Sequence, residues 1–121
     1  MKVIPIDDDV YYAKIFIIPQ CTHGDLVKYF QRVYGTAYEE KPRYDALHYT
    51  LENNETGFII HYVILFDFEN TIPKIALLQH EIDHLVFDVM AEVGIKIAPE
   101  SEEAFTYYKQ YITQKILNKM L

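Results

Sequence analysis

Apolar residues at Ile75, Leu78, Ile82, Leu85, Val86, Val89 and Val93 recur at helical spacing until Gly94 stops the pattern. Thr71 stands where a helix cap is needed, and Pro73 falls in the first turn. The chain is thereby committed to one long helix with a buried stripe, and the rest must fold around it. Inside that helix lies His80-Glu81-Ile82-Asp83-His84. A helix rises about 1.5 Å per residue at about 3.6 residues per turn, so His80 and His84 share a face one turn apart, where two imidazoles can hold one metal ion. Glu81, about 100° further round, suits a base acting on water beside the ion. The expected chemistry is that of a small zinc hydrolase, with a peptide or protein as substrate.

The remaining elements follow from local patterns. Residues 1–9 read as an irregular lead-in, and Val10 to Ile18 as a strand buried on both faces and ended by Pro19. Thr22-x-x-Asp25 resembles a capping box for a short amphipathic helix over about 23–34, stopped by Gly35. Thr36 to Arg43, with Pro42, reads as a loop. Tyr44 to Leu51 alternates, Leu47, Tyr49 and Leu51 facing one way and Ala46, His48 and Thr50 the other. Turn residues from Asn53 to Gly57 then lead into an apolar strand, Phe58 to Phe68, completing an antiparallel hairpin. After Pro99, Ser101 or Glu100 caps a last helix whose buried stripe is Phe105, Tyr108, Ile112, Ile116 and Met120. The expected class is α+β, with an antiparallel or mixed sheet of about three strands packed on the histidine-bearing helix and a C-terminal helix. One domain spans residues 1–121.

Composition removes other functions. The net charge is −7 and the 11 Lys and Arg are scattered, so no phosphate-binding surface is expected and nucleic acid is excluded as a partner. Cys21 is the only cysteine, which excludes an internal disulfide and a cysteine-rich zinc site and suits a reducing cytoplasm. The N-terminus runs from Met1 into Asp7-Asp8-Asp9 without the apolar core of a signal peptide or a membrane span, so the chain reads as soluble, with no membrane partner.

Catalytic zinc takes three protein ligands and leaves a position for water. The third donor is open among Glu100, Glu102 and Glu103 on the last helix and His23, His48 and His61 elsewhere. Asp88 lies two turns from His80, about 12 Å along the axis, and better suits a role orienting His84.

His80-Glu81-x-x-His84, a short link, and a helix opening Ser101-Glu102-Glu103-Ala104-Phe105 resemble the gluzincin metallopeptidases, where the third ligand is a glutamate on the following helix. The stretch from about 75 to 112 is also similar to short metallopeptidase-like proteins encoded by phages and prophages. The resemblance implies a minimal zincin-like domain holding Zn2+ through His80, His84 and Glu103, with Glu81 as the base. This chain carries Glu102 where the pattern has Asn and Tyr107 where it has an acid. Tyr107, one turn beyond Glu103, is then a candidate catalytic residue, supporting the ligand or donating a hydrogen bond to an oxyanion. The family's mode of substrate binding implies strand addition along Phe58 to Phe68. The alternative is an inactive binding or assembly protein of the same fold with a structural zinc.

Overall fold

A computed structural model describes residues 1–39 and 45–121. The latter part of the expected loop, including Pro42, and the expected strand start at Tyr44 lie outside the described residues. The order is β1 (Ile4–Ile6), β2 (Lys14–Ile18), α1 (His23–Tyr34), β3 (Ala46–Glu52), β4 (Ile59–Leu65), α2 (Ile72–Glu92), a 3-10 turn (Pro99–Ser101) and α3 (Glu102–Met120). The class is α+β as expected. The sheet is mixed and has four strands in the order β1-β2-β4-β3.

The extra strand comes from the expected lead-in. Ile4 and Ile6 pair antiparallel with Ile17 and Ile15. The second strand is shorter than expected, because Asp9, Val10 and Tyr11 form a turn and the strand begins only at Lys14. Asp8 accepts backbone hydrogen bonds from Val10, Tyr11 and Ala13, and Tyr12 takes φ 59°.

A second correction concerns β4. Its neighbours are β2, running parallel with Ile15 opposite His61, and β3, running antiparallel with Thr50 opposite His61. Both hydrogen-bonding sides are therefore used, so this strand cannot accept an added peptide as expected of Phe58 to Phe68. Among the described residues the sheet edges are β1 and β3.

Alternation along the strands sends side chains to two cores. Leu47, Tyr62 and Ile64 meet Leu26 and Phe30 of α1 on one face. On the other, Ile15, Ile17, Val63 and Leu65 meet Leu78, Ile82, Leu85 and Val89 of α2 and Tyr108, Ile112 and Ile116 of α3. The caps match the sequence. Thr22 and Asp25 form a reciprocal capping box, and Gly35 and Gly94 take φ 64° and 82° at the ends of α1 and α2. Thr71 occupies the cap position of α2 without a side-chain cap bond. No helix among the described residues is long and apolar enough to cross a membrane.

Helix α3 runs antiparallel to α2 along one of its sides. Gln79 contacts Thr113 at 3.4 Å, Lys109 pairs with Asp83 at 3.0 Å, and the Phe87 and Phe105 rings lie 5.6 Å apart. That seam follows the 79-83-87 row, and the 80-84-88 row lies about 100° further round the helix.

Candidate metal centre

The 80-84-88 row looks across to β3. His80 and His84 are exposed, and their Nε2 atoms stand 3.2 Å apart. Two nitrogens on one tetrahedral zinc, each at about 2.0–2.1 Å, lie about 3.3 Å apart. The pair therefore fits a shared ion. Glu81 is only 7% exposed, because its position on the helix turns it toward β3. Ala46, Leu47, His48, His80, Glu81, His84 and Asp88 line one pocket of about 340 Å³.

Beneath that pocket runs a chain of polar groups on the sheet. His48 sits opposite Val63 and His61 opposite Thr50, which makes the two histidines diagonal neighbours on one face. His48 Nε2 lies 2.9 Å from His61 Nδ1, with the rings within 7° of coplanar. His61 is fully buried, and its Nε2 lies 2.8 and 3.1 Å from the two carboxylate oxygens of Glu92. At the other end His48 Nδ1 stands 3.5 Å from Asp88 Oδ2. Desolvation, and next the neighbouring His61, push the His48 imidazole down to about 4 against the pull of Asp88. It is therefore neutral at neutral pH.

The placement of the expected site residues divides sharply. His80, Glu81 and His84 line one pocket. Glu103 and Tyr107 do not join them: neither lines the pocket, and Tyr107 is 67% exposed. The reason is the side on which α3 docks. The expected glutamate ligand required α3 to lie over the 80-84 row, and its seam instead follows 79-83-87. Glu100 and Glu102 are likewise exposed and absent from the pocket wall. His23 belongs to α1, packs against Phe66, and carries a buried Nδ1 without a hydrogen-bond partner among the described residues.

Sequence reasoning underweighted His48 and Asp88. The alternation from Ala46 already put His48 on the face opposite Leu47, but nothing local says which face receives α2. Asp88 lies two turns from His80, too far for the two to share an ion. The structure sets it against His48, 3.5 Å away, and not against His84 as the sequence suggests. Among the described residues the group of three or more acid, histidine or cysteine donors lying within 4.8 Å of one another is His48, His61 and Asp88.

No family model, curated protein or solved structure matches this chain.

Proposed function

We propose that the protein is a metal-dependent hydrolase, with zinc held by His80 and His84 and a peptide as substrate. The observation that carries this reading is the 3.2 Å separation of the two Nε2 atoms beside the shielded carboxylate of Glu81. A divalent ion held there by His80 and His84 would supply Lewis acidity, to polarise a carbonyl and acidify a water. Glu81 takes a proton from the attacking water and returns it to the leaving amine, a role that suits a carboxylate in a partly closed pocket. The pocket lies against β3, an edge strand, so an extended peptide adds there through backbone hydrogen bonds and passes His80 and His84. This replaces β4 as the substrate edge. The kinship to gluzincins is proposed on His80, Glu81 and His84 alone, and the single buried, unpaired cysteine is in keeping with a cytoplasmic setting.

The test is metal analysis of protein purified without chelator, followed by cleavage of a peptide library. We expect zinc near one equivalent. Glu81→Gln is expected to keep the metal and lose activity by about 100-fold or more. A metal-loaded Glu81→Gln protein that cleaves at the wild-type rate would remove Glu81 as the base. Stoichiometric zinc with no cleavage by the wild type would favour the assembly protein with a structural ion.

A further inference from the structure

We infer that His48, through Nδ1, is the third protein ligand to the ion at His80 and His84, and that His61 and Glu92 are positioning residues that hold its ring. The inference rests on the metal reading of the pocket and supplies the donor that α3 does not.

The argument is a count of protons. A carboxylate only accepts, so His61 Nε2, facing both oxygens of Glu92 at 2.8 and 3.1 Å, carries a proton and donates it. With that one proton on the ring, the other nitrogen, Nδ1, is bare and accepts. His48 Nε2, 2.9 Å away, must be the donor to it. That leaves His48 Nδ1 unprotonated, its lone pair 3.5 Å from Asp88 Oδ2. Two electron-pair donors thus confront each other with no proton between them, an arrangement that a cation in the pocket relieves.

Reversing the tautomers moves the problem without removing it. A proton on His48 Nδ1 instead of Nε2 sets two lone pairs against each other at the 2.9 Å contact; only a further proton, making His61 an imidazolium on Glu92, avoids this, and that proton and the metal ion exclude each other at Nδ1. With one proton on each ring, the arrangement that satisfies the His48–His61–Glu92 hydrogen bonds is the one that presents Nδ1 as a ligand. Metal-binding histidines characteristically donate their second ring N–H to a fixed acceptor, which sets tautomer and orientation. Here that acceptor is His61, anchored in turn by Glu92. His48 is held from below by the sheet, and the exposed rings of His80 and His84 supply the rotation that closes the set. Three imidazoles with a fourth position open is a complete catalytic zinc complement.

Competition titration with zinc gives one test, and long-range proton–nitrogen spectra of zinc-loaded protein labelled with 15N-histidine give another that needs no variant. We expect one zinc per chain. His48→Asn is expected to lower affinity by about 100-fold, and His61→Gln by about 10-fold to 100-fold. Glu103→Gln should change affinity by less than about 3-fold, as for an exposed acid away from the ion. The spectra should show His48 metal-bound at Nδ1 and protonated at Nε2. Unshifted His48 nitrogens in zinc-loaded protein, two zinc ions per chain, or a loss on Glu103→Gln exceeding that on His48→Asn would overturn the assignment. A wild type that binds zinc no better than His80→Ala would show instead that the metal reading itself is wrong, and the assignment falls with it.

Discussion

Asp8 caps a turn in the way an N-cap residue caps a helix. Its two oxygens accept from the backbone of Val10, Tyr11 and Ala13 at 3.0–3.2 Å and from the Tyr108 phenol at 2.8 Å, and only 6% of the residue is exposed. Burial and this bond to a carboxylate push the Tyr108 phenol well above the ordinary tyrosine range, so it remains a donor. Asp8→Ala leaves those donors without their acceptor and is expected to cost about 2–4 kcal/mol in urea unfolding. Asp9→Ala, at a side chain 79% exposed, should stay within about 0.5 kcal/mol. Equal losses would show that the carboxylate of Asp8 holds nothing. In the sequence the two acids are indistinguishable members of one acidic run, because the partner that separates them, Tyr108, comes 100 residues later. The same contrast divides the candidate site. His80, Glu81 and His84 are legible because helix geometry alone brings them together. His48 is not, because its place depends on where another element packs.

Among the elements, those whose ends are set by local chemistry were readable. The capping box at Thr22 and Asp25 and the left-handed Gly35 bound α1 at His23 and Tyr34, where the sequence puts them. Strand β1 was hidden by its length of three residues, with Pro5 at its centre. The central position of β4 was hidden for another reason. It arises from parallel pairing with β2, a strand separated from it by α1 and β3, and hairpin patterning reports only on the β3 side. The docking side of α3 was equally non-local, since its buried stripe is compatible with either flank of α2. That stripe should dominate its stability. Ile112→Ala, at a fully buried position, is expected to cost about 2–5 kcal/mol. Val27→Ala, at a residue 44% exposed, should cost less than about 1 kcal/mol in the same denaturation experiment. A smaller effect at Ile112 than at Val27 would mean that α3 is not seated on the core as described.

At the scale of the whole molecule, the proposed site links metal and fold, because its donors would come from α2 and β3 and unfolding would separate them. Any ion that binds the native state alone stabilises it, by about 2.7 kcal/mol at 100 times its dissociation constant. Zinc is therefore expected to raise the melting temperature by several degrees, and chelator to reverse the gain. The His80→Ala/His84→Ala double variant should melt at the same temperature with and without zinc; a rise equal to that of the wild type would place the stabilising ion elsewhere. The two-sided sheet has a further effect, on biosynthesis. Ile4, Ile6, Ile15 and Ile17 are made early, yet the face they present is completed by Tyr108, Ile112 and Ile116 of the last helix. On the ribosome this apolar surface must wait, uncovered, until the chain through Ile116 has emerged, which makes nascent chains a natural client for chaperones that recognise exposed aliphatic strands.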